Sequence, residues 1–168
     1  MIKGLKISSI YWRFSIRISL GNYCMSNKRE NVIVLTTGIS GSSLVTKLIA
    51  KAGFWPGDET ITKNNSSGQY NTFENCELVN LNEQLFSELD LTYRTNELYN
   101  ERYHVLFDKA RHKIDLRPYQ NFIACCHLQS PWVWKDPRLR VTLPFWLPEL
   151  IEQDCKFIIV YRNIWSLW

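Results

Sequence analysis

The chain has 168 residues, 45% of them hydrophobic and 21% charged, a composition that excludes disordered, collagen-like and repeat proteins and fits one domain. A chain of this size buries roughly two thirds of the surface its unfolded form exposes, so its core needs no metal or disulfide to hold it. The net charge of +4 is uneven: residues 1–29 hold six basic side chains and no acidic one, while the remaining 139 residues carry 14 basic against 16 acidic. That body lacks the electrostatic footprint of a nucleic-acid binder, and no nucleic-acid partner is expected.

Residues 1–24 read as a leader outside the domain, which is expected over residues 30–168. Within ISSIYWRFSIRISL, Arg13 and Arg17 interrupt the apolar run too early for a membrane span or a signal-peptide core. Two readings stay open: a basic, aromatic segment that lies on an anionic surface or acts as a transit peptide, and an extension that takes no part in the fold. No transmembrane segment is read, and the expected location is cytoplasmic, where cysteines stay reduced. Cys24, Cys76, Cys125, Cys126 and Cys155 form no CxxC pair and no zinc-like spacing with His104, His112 and His127, so no metal is expected.

Patterned sequence begins near Asn31. VIVLT at 32–36 is a short β-branched run that predicts a strand, followed by a glycine and serine cluster and then a helix whose apolar stripe is Leu44, Val45, Leu48, Ile49 and Ala52. Residues 54–73, rich in Gly, Asn, Ser and Thr, predict a surface loop. Helical spacing resumes at Glu74 with Leu78, Leu81, Leu85, Phe86 and Leu89 on one face, and a more polar helix is predicted over about 96–113. NFIACCHL at 121–128 predicts a second strand, leading into WVWKDPRL; Pro144 and Pro148 then punctuate a short helix ending near Gln153. The continuously apolar KFIIVY at 156–161 predicts a parallel strand covered on both faces. The fold class expected is α/β, with a mainly parallel central sheet.

The chemistry concentrates in VIVLTTGISGSSLVTKLIA, a strand running through GISGSS into a helix. Small residues at Gly38, Ser40, Gly41, Ser42 and Ser43 let backbone N–H groups converge, and a helix N-terminus adds partial positive charge; together these suit a phosphate. The same residues also serve as an ordinary strand-to-helix turn. The loop is neither GxxxxGK[ST], because Ser42 follows Gly41, nor GxGxxG, because Ile39 and Ser40 separate its glycines.

Four elements in order, TGISGSS, GDET, WKDPRL and FIIVYRN, resemble the sulfotransferases that use 3′-phosphoadenosine 5′-phosphosulfate, in particular a bacterial group related in pattern to tyrosylprotein sulfotransferases. The resemblance covers about residues 31–168. It implies a three-layer, P-loop-like fold whose carboxyl-terminal part lies beyond this chain, and transfer of a sulfuryl group from that donor, without a metal, to the hydroxyl or amine of a small-molecule or glycan acceptor. It also implies that Gly38, Ser40, Gly41, Ser42 and Ser43 bind the 5′-phosphosulfate, that Glu59 is the base, that Lys135 is the catalytic lysine, and that Arg162 clamps the 3′-phosphate. Where the family carries Arg or Lys before its serine–glycine pair, this chain has Ile39, and it ends before the serine that accompanies the family's arginine.

On the residues alone, Glu59 also reads as a solvated loop carboxylate, Lys135 as the partner of a local ion pair, and Arg162 as a surface residue at a strand end. Asp136 and Arg138 either join the chemistry or hold their loop in shape. Trp132, Trp134 and Trp146 either stack on adenine or fill the core. Two other functions remain open: a P-loop nucleotide or small-molecule kinase, and a degenerate, non-catalytic fragment.

Overall fold

A computed structural model describes residues 30–36, 40–91, 102–151 and 155–161. Ten elements follow in chain order: β1 (Asn31–Thr36), α1 (Ser42–Lys51), β2 (Thr60–Asn65), β3 (Gly68–Asn75), α2 (Cys76–Glu88), α3 (Arg102–Ala110), α4 (Arg117–Leu128), β4 (Val133–Lys135), α5 (Leu139–Ile151) and β5 (Cys155–Val160). The result is a mixed α/β molecule with a small parallel sheet in the order β4-β1-β5 and a separate antiparallel hairpin, β2-β3. The leader and the segment at 92–101 lie outside the described residues, as do Gly38, Ile39 and Arg162. Among the described residues, no helix is long and apolar enough to cross a membrane.

The sheet is short: β1 and β4 are buried, whereas β5 is an edge strand that leaves Phe157 and Ile159 exposed, so among the described residues the cover on both faces expected for 156–161 is not found. Ile33 sits opposite Trp134, Val34 opposite Lys135, and Thr36 opposite Val160. Strand side chains alternate between faces, so Val32, Val34, Val133 and Val160 meet Val45 and Ile49 of α1 on one side. Ile33 and Trp134 meet α2, α3, α4 and α5 on the other. In that second layer Trp132 stacks on Trp134 at 4.6 Å, Phe122 on Trp134 at 5.2 Å, and Trp146 meets Trp134 edge-on at 5.3 Å. Each such pair adds about 0.5–1.5 kcal/mol beyond the apolar area it buries. All three tryptophans are 0–1% exposed, so they fill the core and present no surface for a ring to stack on.

Three further sequence expectations are corrected. The segment 121–128 is helical: Tyr119, Phe122, Ile123 and Cys126 of α4 are buried at helical spacing, and Pro118 sits in the first turn, where its missing N–H costs nothing. A short apolar run suits a buried helix as well as a buried strand, and periodicity alone does not separate them. Residues 60–75 form a hairpin, whose strands are polar because most of both faces is exposed; Asn71 Nδ2 bonds Thr60 Oγ1 across it at 2.6 Å. In α1, Leu44 and Leu48 are exposed while Ser42 and Thr46 are buried. The small residues allow close approach to the sheet, and Thr46 Oγ1 donates to the Ser42 carbonyl at 2.9 Å, so its hydroxyl is buried at little cost.

Helix α5 keeps both Pro144 and Pro148 inside its 13 residues. Each proline forfeits a backbone hydrogen bond. Burial of Val141, Phe145, Trp146 and Leu150 holds the helix together, and the Arg111 guanidinium donates to the Phe145 carbonyl at 2.6 Å.

Candidate functional site

The carboxyl edge of the parallel sheet, where open α/β proteins bind ligands, collects the loop before α1 and the end of β4. Gly41 caps α1 in a left-handed conformation, φ 88°, with no side-chain cap, and its carbonyl accepts from the amides of Leu44 and Val45. A residue with a Cβ is disfavoured there. Ser40 is buried, and its hydroxyl shares a 2.6 Å hydrogen bond with Thr36 Oγ1, which ties the loop to the end of β1. Ser42 is buried in the first turn and Ser43 half-buried beside it. Ser40 to Ser43 thus lead into a helix N-terminus that no side chain caps, a favourable place for an anion.

Lys135 closes β4. Because side chains alternate, it lies on the face of the sheet that α1 covers, with Val133. It is 3% exposed; its ammonium donates to Glu74 Oε1 at 2.5 Å and to the Thr72 carbonyl at 3.3 Å. Burial pulls the Lys135 ammonium below the ordinary lysine range, and the attraction of Glu74 opposes that pull without overcoming it. Glu74 is equally buried, and Lys63 of β2, half in solvent, approaches its second oxygen at 3.5 Å.

Glu74 reaches this position through a local irregularity. The β2-β3 register slips between Thr60 and Thr62, and Phe73 takes a left-handed conformation, φ 57°, with its amide donating to Asn71 Oδ1 at 2.6 Å. A bulge of this kind re-aims the next side chain. A bulky residue at positive φ is strained by about 1–2 kcal/mol, and such strain concentrates at functional sites. Asn75 then caps α2, accepting from the amides of Glu77 and Leu78 at 2.9 and 3.2 Å.

Sequence reasoning missed Glu74 by treating it as the start of a helix. Two signals mark it: Asn75, not Glu74, has the capping chemistry, and Glu74 is the one acidic residue between 60 and 75.

Glu59 lies elsewhere. Its side chain is exposed on the wall of a cleft of about 460 Å³, with Trp55, Asp58, Cys76, Glu77 and Cys125. Its carbonyl accepts from the Cys76 amide at 3.0 Å. Burial raises the Cys76 thiol, and the Glu59 charge raises it further. The charges that act on Lys135 are those of Glu74, Lys63 and Asp136, so the structure pairs the lysine with Glu74 and not with Glu59.

Asp136 and Arg138 hold the turn after β4. Asp136 is fully buried and accepts from Asn82 Nδ2 at 2.8 Å and from the Arg138 amide and guanidinium at 2.9 and 3.0 Å. Burial raises its carboxyl above the usual range, against the pull of Arg138. Asn82 Oδ1 in turn accepts from Trp146 Nε1 at 2.9 Å, and Arg138 also pairs with Glu83. These bonds anchor Lys135 to the aromatic core. His112 and His127 are exposed, and among the described residues no three His, Cys, Asp or Glu side chains gather closely enough to hold a metal ion.

Against models of known protein families, curated proteins and solved structures, the chain finds no match.

Proposed function

We propose that the chain is a sulfuryl-transfer module of three-layer, P-loop-like architecture that uses 3′-phosphoadenosine 5′-phosphosulfate and acts on a hydroxyl or amine of a small-molecule or glycan acceptor. The observation that carries this reading is the buried Lys135–Glu74 pair, at the carboxyl edge of the sheet and on the face that α1 covers. A phosphate held at the first turn of α1, among Ser40, Gly41, Ser42 and Ser43, would lie on the same side of the sheet. The donor supplies an activated sulfuryl group. Glu74 takes the acceptor's proton at a carboxylate oxygen as the new S–O bond forms, or S–N bond for an amine, and the Lys135 ammonium stabilises the negative charge that collects on the bridging oxygen as the old S–O bond breaks. The role of base thereby moves from Glu59 to Glu74, and Arg162 is retained as the proposed 3′-phosphate contact.

Calorimetric titration with 3′-phosphoadenosine 5′-phosphate, alongside ATP with magnesium, tests the reading. The 3′-phosphorylated nucleotide should bind in preference to ATP; Gly41→Val should abolish that binding, while Gly41→Asn, whose side chain tolerates a left-handed backbone, should weaken it less. Magnesium-dependent ATP binding would favour a kinase, and absence of saturable binding by either nucleotide would sink the proposal.

A further inference from the structure

Of the two Glu74 oxygens, Oε1 is engaged by Lys135 at 2.5 Å, and Oε2 faces Lys63 at 3.5 Å. Lys63 is 52% exposed, and directly across the hairpin ladder stands Tyr70, 41% exposed, so both project from one face of the two strands. Apart from Lys63 and Glu74, every residue from 60 to 75 is uncharged, with amides and hydroxyls at Asn64, Asn65, Ser66, Ser67 and Gln69. An acceptor hydroxyl that approaches Oε2 must draw the Lys63 ammonium aside. A ligand with its own carboxylate near that hydroxyl offers the ammonium a replacement partner and meets no other acidic side chain on the hairpin. The Tyr70 ring adds a flat apolar surface of the kind that packs against the C–H face of a pyranose.

We infer that Lys63 and Tyr70 form an acceptor subsite for a uronic-acid-type carbohydrate, with the sugar ring on Tyr70 and its carboxylate on Lys63. The inference rests on the reading of Glu74 as the base. It names the acceptor class for that same site.

Ligand-observed NMR titration of the full chain with methyl β-glucuronide and methyl β-glucoside tests it. The glucuronide should bind about fivefold more tightly, the scale of one exposed charge pair. Lys63→Met should erase that preference and Lys63→Arg keep it, while Tyr70→Ala should weaken both glycosides alike. Both side chains are exposed and the Lys63–Glu74 contact is worth at most about 1 kcal/mol, so these variants should melt within about 4 °C of the parent. Equal binding of the two glycosides by the parent chain, or a preference that survives Lys63→Met, overturns the subsite. Titration with 3′-phosphoadenosine 5′-phosphate separates the two readings. Nucleotide binding without glycoside preference removes the subsite and leaves the donor reading, whereas a Lys63-dependent preference without nucleotide binding keeps the subsite and removes the donor.

Discussion

Replacing Glu74 by glutamine should be among the most damaging substitutions this chain can suffer, because it leaves a lysine charge buried without its counter-ion. Lys135 and Glu74 are each about 3% exposed and 2.5 Å apart, so solvent screens neither partner. Breaking a buried pair from one side costs about 3–5 kcal/mol, a large share of the roughly 5–15 kcal/mol that holds a domain folded. At about 2–4 °C per kcal/mol for a chain of this size, the melting temperature should fall by roughly 6–20 °C. Lys63 cannot make up the loss in Lys135→Met, since an exposed partner at 3.5 Å contributes at most about 1 kcal/mol. The double variant Glu74→Gln, Lys135→Met should lose less than the two single losses added together.

The pH dependence has a definite sign. Burial lowers Lys135 below its ordinary value of 10.5, so between its native value and 10.5 the unfolded chain binds more protons than the folded one, and stability contributed at this site rises with pH. Without Glu74 the native value drops further and that window widens. Urea denaturation at pH 7 and pH 9.5 should therefore show the gap between parent and Glu74→Gln narrowing at the higher pH. Single losses below about 1 kcal/mol that simply add would show that the pair is hydrated and contradict its role as a buried, pre-formed site.

Three further outcomes follow from other parts of the molecule. Gly57→Ala should destabilise more than Gly68→Ala: both glycines have positive φ, but a Cβ at Gly57 would sit 2.4 Å from Asn75 Nδ2, whereas one at Gly68 meets nothing within 4 Å. Equal denaturation midpoints would contradict that packing. Iodoacetamide at pH 8 should alkylate exposed Cys125 and spare Cys126, whose thiol burial pushes up to about 12; peptide mass mapping that finds Cys126 modified in the folded chain would show α4 to be open. Trp146→Phe should cost about 1–3 kcal/mol in urea, because it takes the indole donor from the buried Asn82 carbonyl while keeping most of the ring; a loss below 0.5 kcal/mol on the same scale would show that Asn82 finds another donor.

The parts legible in the sequence were those with a continuous apolar run or a regular apolar stripe. β1 and β5 announce themselves as apolar runs and fall within a residue of their expected bounds, and α2 buries Leu78, Leu81, Leu85 and Phe86 as its spacing predicts. The hairpin was illegible because its strands are held by the backbone ladder and have almost no apolar face to alternate. α4 was misread because four of its residues bury into an aromatic layer supplied mostly by distant elements. Lys135 was singled out only through the resemblance that WKDPRL carries, and its buried partner was not singled out at all: a bulge of the backbone, at Phe73, turns Glu74 inward, and bulges leave little trace in residue order.

The β2-β3 hairpin is fastened at one end only. Its base is locked by the Glu59 carbonyl on the Cys76 amide, by Gly57 against Asn75, and by Glu74 on Lys135, while around Gly68 there is open space. Residues near the tip can therefore be exchanged, or the turn lengthened, without shifting the carboxylate and ammonium at the base. Under the proposed transfer, an arm built this way would let a lineage change what it grips while the carboxylate and ammonium stay where they are, and a library of turn sequences between Asn65 and Gln69 would test that separation by its effect on glycoside preference.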